Sequence, residues 1–161
     1  MDPTLTPPLA RLGSAVPVST HQAESTVLAL PIDKTWSLFK SFRLEKVVPG
    51  KITATTFTSG APNQLDSVVR IDYADGAQWE LRINEISDVK HTIGYQVLST
   101  EPAHFVTSIQ GQIRLRSVTD DNSTFVEWTT DFSNDADANV VSDQKYKKLE
   151  FFAEIKKSLQ Q

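Results

Sequence analysis

Three charged residues on one short stretch raise the first chemical question. In VVRIDYADGAQWELRINEI, residues 68–86, Arg70, Asp72 and Glu85 are interleaved with Val69, Ile71, Trp79, Leu81 and Ile83. A guanidinium on an apolar surface can hold a ligand's carboxylate or carbonyl. It can also stabilise an enolate or oxyanion while a nearby carboxylate moves the proton. Both depend on which way these side chains point, and therefore on the turn between the two halves.

Asp75-Gly76 is a strong hairpin signal, because a type I′ turn needs positive φ at both central positions and these residues accept it. A two-residue loop sets Asp72 against Trp79, Arg70 against Leu81 and Val68 against Ile83. In the second strand Trp79, Leu81 and Ile83 share one face, which Glu85 continues, while Gln78, Glu80, Arg82 and Asn84 take the other. Arg70 and Asp72 are thus expected beside the tryptophan on the concave side. An isolated ion there is costly, so the two pair with each other, stay hydrated or meet a ligand.

Few other chemistries have the residues they need. His21, His91 and His104 show no spacing that gathers two of them on one metal, and there is no cysteine. No metal site is expected. Nucleophile-elbow, phosphate-loop and dinucleotide fingerprints are absent, so no cofactor is expected either. His104 follows Pro102 in a loop, where it is a candidate general acid or base or a solvated histidine. Tyr95, Phe105, Trp128, Phe132 and Phe152 fall on apolar stripes, as core or as cavity wall.

The elements that must position these groups follow from periodicity. AESTVLAL, residues 23–30, predicts a strand, and LPIDKTWSLFKSF a helix with Trp36, Leu38 and Phe39 on its apolar side, started at Pro31 or Asp33. A further short helix is open before Pro49-Gly50 ends the segment. Six β-prone runs follow between Lys51 and Ser133, separated by Ser59-Gly60, Asp75-Gly76, Asp88 to Lys90, Glu101-Pro102 and Asp120 to Asn122. In KYKKLEFFAEIKKSL, Leu149, Phe152, Ile155 and Leu159 form one helical face, with Lys147, Lys148, Lys156 and Lys157 expected on the other. The implied architecture is α+β: a curved antiparallel sheet of about seven strands wrapped round a long C-terminal helix, with two short helices after the first strand.

The chain's 161 residues suit one domain, expected over 23–161, after a proline-rich flexible tail over 1–22. Sixteen Lys and Arg against 20 Asp and Glu give a net charge of -4 with no basic stripe, which argues against nucleic acid as a partner. No apolar run is long enough to span a bilayer and no signal-peptide pattern opens the chain, so a cytoplasmic location is expected.

Four strings in this order, VLALPIDKTWSLFKSF, VVRIDYADG, GYQVLSTEPAHFVTSI and FVEWTTDF, resemble the Bet v 1 and START-related superfamily (SRPBCC), in its polyketide cyclase/dehydrase branch. The resemblance covers roughly residues 23–160. It implies a helix-grip fold with a cavity between helix and sheet, an arginine facing that cavity at Arg70, and an acidic partner at Glu85 or Glu80. The glycine that commonly precedes the arginine is missing from QLDSVVR, and a tight Asp75-Gly76 turn replaces the hormone-receptor gate, which removes the expectation of a plant-type hormone sensor.

The leading expectation is a carrier or sensor of a small hydrophobic or amphipathic ligand, lined by Arg70, Asp72, Trp79, Leu81, Tyr95, Phe105, Trp128, Phe132 and Phe152. Two alternatives stay open. One is a cyclase, dehydratase or isomerase using Arg70, Glu85 or His104. The other is a protein-interaction module whose cavity is filled.

Overall fold

The structure is a computed structural model and describes residues 19–159. The tail expected over 1–22 lies outside the described residues up to residue 18. Strand β1, His21–Leu28, begins two residues before the expected start. Helix α1, Ile32–Lys40, opens at Pro31 and buries Thr35, Trp36 and Phe39. Proline's fixed φ suits that entry, and Pro31's carbonyl accepts from Thr35. The Trp36 indole donates to Asp88 at 2.9 Å, which ties the helix to the β4–β5 turn. In place of a second short α-helix there is one 3-10 turn, Leu44–Lys46, with Leu44 buried.

Six strands follow: β2 Ile52–Ser59, β3 Val68–Tyr73, β4 Gln78–Ser87, β5 Thr92–Glu101, β6 Ile109–Val118 and β7 Ser123–Phe132. They pair antiparallel in one open sheet of order β1-β7-β6-β5-β4-β3-β2. Helix α2, Ala138–Leu159, lies against the inner face. Phe151, Phe152 and Ile155 join Trp79, Leu81, Tyr95, Ile113 and Phe132 in the core. No helix among the described residues is long and apolar enough to cross a membrane.

The first correction concerns the β3–β4 turn. Gly76 has φ 95 but Asp75 is not in the positive-φ region, so the turn is not type I′. Instead the Gly76 amide donates to Tyr73 O at 3.0 Å and the Tyr73 amide to Ala77 O at 2.8 Å, closing a three-residue loop, Ala74-Asp75-Gly76. The Asp75 carboxylate takes the Ala77 amide at 2.9 Å, an interaction that keeps Asp75 out of the left-handed region. One added loop residue shifts the register by one. Arg70 now faces Glu80, Ile71 faces Trp79 and Val69 faces Leu81.

The second correction concerns α2. Its buried face holds Gln144, Lys148, Phe151, Phe152 and Ile155, whereas Leu149 and Leu159 are exposed. With Phe151 and Phe152 both inside, the centre of the face falls between them, which turns Leu149 outward and Lys148 inward. The spacing 144, 148, 151, 155 is as good a helical stripe as the apolar one, but two of its members are polar.

Candidate functional site

Alternation along β3 and β4 decides what the concave surface carries. Val69, Ile71, Trp79, Leu81 and Ile83 are buried on the side that faces α2. Arg70 and Asp72 therefore point away from it. Their ionic groups are 3.5 Å apart, with the Arg70 side chain 43% exposed, an ion pair on the outer face of the sheet. Glu85 also leaves the expected face, because β4 and β5 slip register between Ile83 and Glu85. This two-against-one bulge sets Asn84 and Glu85 together over Gly94, and Glu85 accepts from Gln112 at 2.8 Å. Arg70, Asp72 and Glu85 are thus all on the outer side, and no arginine–carboxylate pair faces the cleft among the described residues.

The loop residues separate as well. Strand β6 begins only at Ile109, so no strand alternation orients residues 102–108, and Phe105 is 92% exposed. His104 packs edge-on against Trp79, ring centres 5.3 Å apart, and its Nδ1 is buried with no partner among the described residues. Phe132 and Phe152 are buried core residues, Phe132 opposite Ile109 and Phe152 against Trp128 and Phe151.

What remains on the inner face forms a cleft in two parts. The outer part, about 160 Å³, opens between α2 and the start of β2 beside the β3–β4 turn; its walls include Ile52, Tyr73, Trp128, Lys147 and Phe151. The inner part, about 20 Å³, is lined by Phe42, Ile71, Trp79, Leu81, Tyr95 and Lys148 among others. Tyr73, Trp128 and Lys147 border both. The Lys147 ammonium stands 4.3 Å from the Tyr73 ring centre and 5.7 Å from that of Trp79, folded inward over the aromatic wall.

At the inner end lies a polar network built round Lys148, a residue expected on the outward face of the helix and found on its buried one. Lys148 is 1% exposed, and its ammonium donates to Thr130 Oγ1 at 2.6 Å and to Gln22 Oε1. The Gln22 amide donates in turn to Glu24 Oε2 at 3.2 Å. Beside them the Trp128 indole donates to the Tyr95 hydroxyl at 2.8 Å. Burial lowers the Lys148 pKa from 10.5 to about 8, against the smaller opposing pull of Glu24. Burial likewise pushes Tyr95 up to about 12 and raises Tyr73. Tyr95 fits only because its partner across the sheet is Gly111, where a Cβ would stand 2.7 Å from Tyr95 Cε1 and nearer still to its Cζ and hydroxyl oxygen.

No family model matches the sequence, and no curated protein matches it significantly. Solved structures do. A protein from Nitrosospira multiformis superposes with a TM-score of 0.74 at 19% identity, over 84% of this chain and 92% of that one. Ginseng major latex-like protein 151 from Panax ginseng gives 0.67 at 15% identity, over 86% and 93%. Ara h 8.0201 gives 0.68 at 16% identity, over 86% and 95%. With the strand order and gripped helix described above, these likenesses show that the chain has the Bet v 1-like helix-grip fold.

Proposed function

We propose that this chain binds a small hydrophobic or amphipathic molecule in the cleft between α2 and the sheet, as a carrier or sensor. The observation that carries this reading is the adjacency of the two voids: an open mouth and an interior void with apolar walls and a few polar groups share Tyr73, Trp128 and Lys147 as their common wall. That combination is how proteins commonly hold small molecules. The outer void is comparable to the roughly 150 Å³ that suffices for a benzene ring in an apolar cavity. A single ring or a short acyl chain is therefore the scale of ligand it suits, with Lys147 swinging out to join the two voids.

Native mass spectrometry of the intact protein, as purified and after soaking with a panel of aromatic acids, alcohols and short lipids, tests the reading. A 1:1 adduct is expected, and it should be lost in Ala74→Trp, which fills the mouth from an exposed position. Absence of any adduct across the panel would overturn it. The aromatic packing that leaves the inner void room for about one water favours a second reading, a protein-interaction module with a filled cavity. The same panel separates the two. The cyclase-type alternative named Arg70, Glu85 or His104: the first two lie on the outer side of the sheet, and His104, packed edge-on against Trp79 from the loop after β5, lines neither void.

A further inference from the structure

The inner end of the cleft is built unlike its walls. Lys148 is a primary ammonium at the centre of a helix face that otherwise buries Gln144, Phe151, Phe152 and Ile155. Both of its hydrogen-bond acceptors, Gln22 Oε1 and Thr130 Oγ1, are neutral. Among the described residues no carboxylate lies within ion-pair distance; Glu24 reaches it only through the Gln22 amide. A buried ammonium satisfied by hydrogen bonds but lacking a direct counter-charge is an unusual expense for a fold to carry. Gln144, one turn earlier on α2, is 5% exposed and borders the same void, and its side-chain amide makes no hydrogen bond to a described residue.

Resting on the ligand-binding reading above, we propose that Lys148 and Gln144 form the head-group subsite of that cleft and that the ligand is a small amphipathic carboxylate. It binds acid end inward, with its apolar end in the outer void against Tyr73, Trp128 and Phe151. The carboxylate supplies the missing counter-charge to the ammonium and accepts from the Gln144 amide. A charge-assisted bond in a site closed to water is stronger than its neutral counterpart, so the acid is selected over an isosteric alcohol. Lys147, over the rings of Tyr73 and Trp79, is the gate and not the anchor. The titratable groups that face Lys148 are Glu24 from β1, Tyr95 from β5, Tyr73 from β3 and Lys147 from its own helix. The tyrosines are neutral throughout the physiological range, and an incoming acid must coexist with Glu24.

The test uses the full chain and a matched pair of probes, 4-phenylbutanoate and 4-phenylbutanol, with binding followed by calorimetry at pH 7 in wild type, Lys148→Met and Lys147→Met. Wild type is expected to prefer the acid by roughly tenfold or more. Lys148→Met should erase that preference and Lys147→Met should leave most of it. If both probes bind wild type equally, the subsite proposal fails while the cleft reading stands. If the preference survives Lys148→Met or vanishes with Lys147→Met, the anchor is misassigned. If neither probe binds while other members of the panel form adducts, the subsite proposal fails alone; if nothing in the panel binds, both readings fail. Should Lys148→Met not fold, the pH series in wild type still decides, because acid binding must weaken as the ammonium loses its proton above about pH 8, raised somewhat by the bound acid. A flat series to pH 10 would overturn the proposal.

Discussion

Two charged clusters sit on opposite faces of one sheet and obey different rules. On the outer face, Arg70 and Asp72 approach to 3.5 Å with side chains 43% and 20% exposed, although the facing Nε and Oδ1 atoms are themselves covered. On the inner face, Lys148 is held by two neutral oxygens under a helix, cut off from water. An exposed ion pair pays side-chain entropy for a weak, screened attraction and contributes little. A buried ammonium weakens its own protonation and is held in one direction by its acceptors. Exposure, more than charge type, therefore separates the two: the arginine belongs to the surface, and the lysine is the charge that the subsite proposal uses.

The sharpest way to break the inner cluster leaves its charge untouched. Gly111→Val would place side-chain atoms where the Tyr95 ring lies, beside Thr130 and the Trp128 indole. Overpacking of this kind costs about 3 kcal/mol when the ring cannot retreat, and this ring is 4% exposed and packed edge-on against Phe42. Urea denaturation should show that loss. A change under about 0.5 kcal/mol would mean that Tyr95 has another place to go, and the network with it.

A smaller effect isolates the charge itself. Lys148 titrates at about 8 in the folded chain against 10.5 ordinarily, so between these values the unfolded chain binds more protons and stability rises with pH. Below about pH 8 the burial cost is present in full; above 10.5 it is gone. Tyr95 works in the opposite sense. Its raised pKa stabilises fully below pH 10 and is lost as the pH climbs through about 12, which leaves pH 8 to 10 as the clean window. Across that window wild type should gain about 2 kcal/mol that Lys148→Met does not. Parallel curves for the two proteins would show that the ammonium pays no burial cost.

These clusters also mark where the sequence was legible. Strands β2 to β7 could be read because alternating residues and turn chemistry are local, and the long C-terminal helix because its stripe repeats within fifteen residues. The faces of Arg70 and Glu85 could not, since each turned on a single residue. Asp75-Gly76 is compatible with two-residue and three-residue loops alike, and the Asp75 carboxylate bond to Ala77 decided for three. The bulge at Asn84 and Glu85 leaves no pattern in β4, since its cause is the match with β5 across Gly94. Lys148 was hidden for another reason. Its partner Gln22 lies 126 residues away, and a Lys-Lys pair on an amphipathic helix ordinarily marks the wet side. Along β3 itself Val69 and Ile71 are buried while Arg70 and Asp72 between them are not, an alternation that agrees with the observed faces.

The weakest expected effect does most to sharpen the comparison. Arg70→Ala removes a guanidinium whose nearest carboxylate, Asp72, lies 3.5 Å away on the outer face, without the geometry of a hydrogen bond. Its stability should stay within about 0.5 kcal/mol of wild type, since exposed pairs of this kind rarely contribute more. Its preference for 4-phenylbutanoate over the alcohol should also match wild type, because ligand and arginine would be separated by the whole thickness of the sheet. Calorimetry with the same two probes reads both Arg70→Ala and Lys148→Met. If the arginine variant loses the acid preference, the anchor lies on the outer face and the roles of the two clusters reverse. If only the lysine variant loses it, the side on which each charge was buried has decided which one serves the ligand.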